Sequence, residues 1–106
     1  MMPYVYLFAA IIFEVFGTML LPFSRNFTKP LISIIIIISY SLSFYLLTFS
    51  LKEIPIAIAY STWAGLGIFL VTLFGYLIHD QNLQWQSYIG LLFIAVGVAI
   101  VNTFKS

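Results

Sequence analysis

Charged side chains in this sequence are confined to short intervals, with one exception, and between the intervals run apolar stretches of about twenty residues. Arg25 and Lys29 mark the first interval, Lys52 and Glu53 the second, Asp80 the third, and Lys105 lies near the end; the exception is Glu14. A bilayer core about 30 Å thick needs roughly 20 apolar residues per helical span. The 106 residues therefore hold four spans with short connections and no soluble domain beside them. Composition agrees: 63% of residues are hydrophobic and 7% charged, more apolar surface than a small soluble domain could bury. The expected fold is an all-α membrane protein, a single transmembrane domain over residues 1–106.

The punctuation sets the helix limits. The first span runs over about residues 4–21 and is closed by Pro22, before a polar connection containing Ser24, Arg25, Asn26, Thr28 and Lys29. Pro30 opens a second span over 31–50. Its β-branched run at 34–38 would suit a strand in water, but a lone strand in lipid leaves its backbone groups unpaired, so a helix is expected. Pro55 stands at the first turn of a third helix over 56–78, and the fourth covers 85–103. The N-terminus lacks a basic flank and Glu14 interrupts what would be a signal peptide's apolar core, so the first span is expected to be retained.

Several classes of function are excluded. A net charge of +1 without a basic cluster gives no footprint for nucleic acid. Cysteine is absent, which removes disulfides and thiolate chemistry. The sole histidine is expected in a connection, and no nucleophile, base and orienting group occur together, so neither an enzyme nor a cofactor or metal site is expected. Alternating spans put Lys52 and Lys105 on one side and Arg25 and Lys29 on the other. The positive-inside rule then gives almost no preference, leaving insertion in both directions beside a single orientation set by other residues.

Glu14 is the residue that points to chemistry. An ionisable group deep in a span costs about 2.5 kcal/mol or more and is rarely kept without a partner or a task. Ala10, Gly17 and Thr18 share its helix face, a small, partly polar stripe open to close approach, flanked by Leu7, Ile11 and Leu21. The basic residues all lie outside the spans, which favours a proton or an external cation as its partner. The alternative is a glutamic acid bonding a neighbouring helix. Aromatic residues recur on single faces: Tyr40 and Phe44 with Leu47, and Tyr60 and Trp63 with Gly67. Aromatic faces attract organic cations, although lipid contact or packing also accounts for most aromatics in such a chain. Trp63 lies within its span, away from the interfacial belt, which favours a site role. Gly65 and Gly67 suit either a hinge or close packing, and Gly90 and Gly97, with Ile94 between them, permit a second copy of the fourth helix to approach.

Taken in order, Glu-Val-Phe-Gly-Thr at 14–18, Ser-Arg-Asn-Phe-Thr at 24–28, Ile-Pro-Ile-Ala-Ile-Ala-Tyr at 54–60, Trp-Ala-Gly-Leu-Gly at 63–67 and the Gly90 to Gly97 spacing resemble the small multidrug resistance family. The resemblance covers nearly the whole chain. It implies an antiparallel homodimer in the inner (plasma) membrane that exports quaternary ammonium and other lipophilic cations in exchange for protons, without a cofactor. It implies that Glu14 binds proton or substrate, that Tyr40, Tyr60 and Trp63 line the shared site, and that Gly90 and Gly97 make dimer contacts. Gly17 and Thr18 resemble the multidrug branch; the guanidinium-exporting branch usually carries Trp-Ala there. Two departures are Pro22, where the family usually has lysine, and His79-Asp80-Gln81 in the third connection. Alternatives are export of a guanidinium or polyamine compound, a role as one of two unequal paired subunits, and a non-transporting membrane subunit.

Overall fold

The computed structural model describes residues 2–104, and its helices are α1 (Met2–Ser24), α2 (Pro30–Ser50), α3 (Ile56–His79) and α4 (Trp85–Thr103). Lys105, expected at the membrane surface, lies outside the described residues. The helices have 23, 21, 24 and 19 residues. At about 1.5 Å per residue these extend roughly 29 to 36 Å, and all four are apolar enough to cross a bilayer core of about 30 Å. The protein is an all-α membrane protein of four spans.

Three details of the helix limits differ from the sequence expectation. Pro22 does not close α1, which continues to Ser24 with the proline inside it. So near a helix end the missing N–H removes a single bond, and the following turn is held by a side chain: the Ser24 hydroxyl donates to the Leu21 carbonyl at 2.7 Å. Pro55 is the cap residue immediately before α3 and does not stand in its first turn; its carbonyl accepts the Ala59 N–H at 3.0 Å. Pro30, by contrast, opens α2 where expected. His79 ends α3 and is not in the connection.

Between α1 and α2 the chain reverses through three successive left-handed residues, Arg25, Asn26 and Phe27, with φ of 50°, 62° and 64°. None is glycine, so each bears a steric cost that its surroundings must offset. Buried Ser24 supplies the fastening. Its hydroxyl accepts the Phe27 N–H at 3.1 Å, and its carbonyl accepts the N–H groups of Thr28 and Lys29 at 2.9 and 3.1 Å.

The chain divides into two compact units at Ile54 and Pro55, one built on α1 and α2 and the other on α3 and α4. In the first, α1 buries Leu7, Ala10, Ile11 and Val15, spaced by three and four residues along one face. The facing stripe of α2 is Ser33, Ile36, Ser39, Ser43 and Ser50. Small side chains let the two backbones approach, which in lipid replaces the hydrophobic drive available in water. The serines are satisfied locally: Ser33, Ser39 and Ser50 donate to the carbonyls of Lys29, Ile35 and Leu47 at 2.7 to 2.8 Å. Ser43 reaches across to the Ala10 carbonyl at 2.7 Å. Of the isoleucine run, Ile36 is buried while Ile34, Ile37 and Ile38 are exposed, as a lipid-facing surface requires.

In the second unit α3 and α4 meet along Thr62, Gly65, Val98 and Asn102. Asn102 donates from Nδ2 to Thr62 Oγ1 at 2.8 Å and to the Val98 carbonyl at 3.0 Å. A Cβ on Gly65 would run into the side chain of Val98. Further along, the helices leave a cavity of about 590 Å³ lined by residues including Phe69, Tyr76, Tyr88 and Leu92. Asp80, in the left-handed conformation, ends α3 while the Gln81 N–H returns to the Gly75 carbonyl at 3.1 Å.

Candidate functional site

The face of α1 singled out by its spacing carries Ala10, Glu14, Gly17 and Thr18, and the fold brings one of the aromatics, Tyr40 of α2, onto it. Thr18 lies one turn beyond Glu14 and donates from Oγ1 to Glu14 Oε2 at 2.5 Å. The same Oγ1 is 2.9 Å from the Tyr40 hydroxyl. A threonine hydroxyl has one proton to give, so with that proton on the Glu14 carboxylate the second bond runs from Tyr40 to Thr18. Tyr40, Thr18 and Glu14 thus form a directed relay across the α1–α2 seam, ending on the carboxylate.

Gly17 makes room for this relay. A Cβ there would sit 3.0 and 3.2 Å from two carbons of the Tyr40 ring and 3.4 Å from Ser39 Cβ. Ala10 is fully buried, its carbonyl bonded to Ser43. Within the hairpin, Ala10 and Gly17 are therefore covered by α2, while Glu14, Thr18 and Tyr40 remain half-buried. Phe44, one turn past Tyr40, points outward and is 59% exposed.

The other predicted residues lie in the second unit. Tyr60 is 76% exposed, Trp63 half-buried and Gly67 buried on α3, which runs unbroken through Gly65 and Gly67. On α4, Gly90, Ile94 and Gly97 are exposed; a Cβ on either glycine would meet nothing within 4 Å. No residue of α4 is buried. Sequence reasoning overlooked the serine stripe of α2 and the Thr62–Asn102 bond. The available signals were serines six, four and seven residues apart, at 33, 39, 43 and 50, within an isoleucine-rich span, and a lone asparagine in the last turn of an apolar one.

A sequence model of the family described as Small Multidrug Resistance protein matches residues 2–94. The chain belongs to the small multidrug resistance family. Among its relatives, the multidrug transporter EmrE of Escherichia coli is 44% identical over 102 residues, 96% of this chain and 93% of that one. The quaternary ammonium compound-resistance protein QacF of Klebsiella aerogenes is 40% identical over 99 residues, 93% of this chain and 90% of its own. The multidrug resistance protein EbrB of Bacillus licheniformis is 40% identical over 102 residues, 96% and 86% respectively. Membership of the small multidrug resistance family and the four spans make this a multi-pass membrane protein.

Proposed function

We propose that the protein is a proton-coupled antiporter that exports lipophilic and quaternary ammonium cations across the inner (plasma) membrane. The observation that carries this reading is the Tyr40–Thr18–Glu14 relay, an intramembrane carboxylate with a built-in donor. A site that holds either a proton or an organic cation, and never both, exchanges one for the other. Relatives named for quaternary ammonium resistance support that substrate class. Tyr40, which begins the relay, brings an aromatic face to the same hairpin.

The test is proton release. Adding a quaternary ammonium compound to weakly buffered, detergent-solubilised protein should acidify the medium, with release saturating as the cation binds. A folded sample that binds the cation without releasing a proton would overturn exchange, and one that neither binds nor releases would favour a paired, unequal subunit.

The second element of the reading is an antiparallel homodimer joined through α4, whose Gly90–Ile94–Gly97 face is open. The cysteine-free sequence makes this directly measurable. In an antiparallel pair centred near Ile94, position 90 of one copy faces position 97 of the other. Gly90→Cys should therefore form disulfide dimers when co-expressed with Gly97→Cys and not with itself. Cross-linking of Gly90→Cys with itself would indicate a parallel pair.

A further inference from the structure

Away from Glu14, at the end of the first unit where α1 begins and α2 finishes, two tyrosine rings and one ammonium group gather around the Phe49 ring. Tyr6 stacks on Phe49 with ring centroids 5.3 Å apart and an interplanar angle of 26°. Tyr45 meets the same ring edge-on at 5.1 Å and 89°. The Lys52 Nζ lies over the Phe49 ring, 5.0 Å from its centroid. Tyr45 is 61% exposed and Lys52 is also exposed, so the cluster is open on its outer side.

The geometry points to a second, outer binding site for aromatic or alkylated ammonium cations, formed by Tyr6, Tyr45 and Phe49 and held in its empty state by Lys52 acting as an internal ligand. The ammonium already on Phe49 shows that the ring surface accepts a cation. An interfacial aromatic belt would require neither the stacking of Tyr6 from another helix nor a lysine turned back onto the ring. Lysine is a poor tenant here because its ammonium is compact and strongly hydrated, whereas an organic cation sheds little water on reaching an aromatic face. Tyr6 precedes Glu14 by eight residues, about 12 Å along the α1 axis, so the cluster stands two turns outward from the carboxylate on the same hairpin. An organic cation leaving the membrane surface would meet it before Glu14. The role as a way station rests on the export reading; the binding itself does not.

Amide chemical shifts of Tyr45, Phe49 and Lys52, followed while benzyltrimethylammonium is added to Glu14→Gln protein in bicelles, separate the two sites. Saturable shifts at these amides are expected although the central carboxylate is gone. Lys52→Gln should tighten the midpoint about threefold by removing the internal competitor. Phe49→Leu, which keeps the apolar volume, should abolish saturation. Shifts that rise linearly without saturating, or a midpoint indifferent to Lys52→Gln, would overturn the site. Failure of wild-type proton release alongside saturable shifts would instead sink only the exchange reading.

Discussion

Replacing Glu14 with glutamine is expected to abolish proton release on cation binding and to weaken quaternary ammonium binding by about tenfold to a hundredfold, the range for losing a charge-assisted contact. Glutamine is nearly isosteric and its amide oxygen can still accept the Thr18 hydroxyl, so the α1–α2 hairpin should survive. What disappears is the ionisable group. Glu14→Asp separates charge from reach: the carboxylate remains but withdraws by one methylene from Thr18, which now donates to it at 2.5 Å. Proton release should therefore persist in Glu14→Asp with weaker cation binding. Calorimetric binding together with pH-electrode measurements on the three proteins would read both quantities. Unaltered release in Glu14→Gln would assign Glu14 to helix association and remove it from the exchange.

The second large effect is expected at Gly65. Its missing side chain lets Val98 of α4 sit against the α3 backbone, and any Cβ would run into that valine. Gly65→Ala should therefore separate the helices near the Thr62–Asn102 bond and destabilise the second unit by about 1 to 3 kcal/mol, the usual cost of overpacking. Val98→Ala in the same protein returns the space and should restore most of that loss. Thermal unfolding in detergent, read by circular dichroism for both single variants and the double variant, closes the cycle. An additive double variant would mean that Gly65 matters for some reason other than its contact with Val98.

Much of the fold was legible because lipid leaves the backbone few choices. Stretches too apolar for water and long enough to span must be helical, and four such stretches fit the chain, so α2 was recognisable despite its isoleucine run. Glu14 was legible for a related reason, as the one charge outside the polar intervals. The end of α1 was not, because the effect of Pro22 depends on whether the next turn finds another fastening, and the Ser24 hydroxyl supplies it only in the folded hairpin. The backbone of Arg25, Asn26 and Phe27 was equally hidden, since no glycine announces three left-handed residues. Helix spacing correctly grouped Thr18 and Gly17 with Glu14. It could not say that Tyr40 reaches Thr18 while Phe44, one turn on, faces outward, because that depends on the rotation of α2 about its own axis. The serines that fix this rotation read as incidental in an otherwise greasy segment.

Those serines have a mechanical consequence. Ser33, Ser39 and Ser50 each direct their hydroxyl to a carbonyl of their own helix, so these rungs of the α1–α2 seam present smooth, small surfaces with no bond to break when one helix slips along the other. Ser43, bonded to Ala10 of the opposite helix, is a point of fixation between them. A seam made this way resists being pulled apart through close contact over much of its length, and its resistance to shear is concentrated at the Ser43–Ala10 and Tyr40–Thr18 bonds.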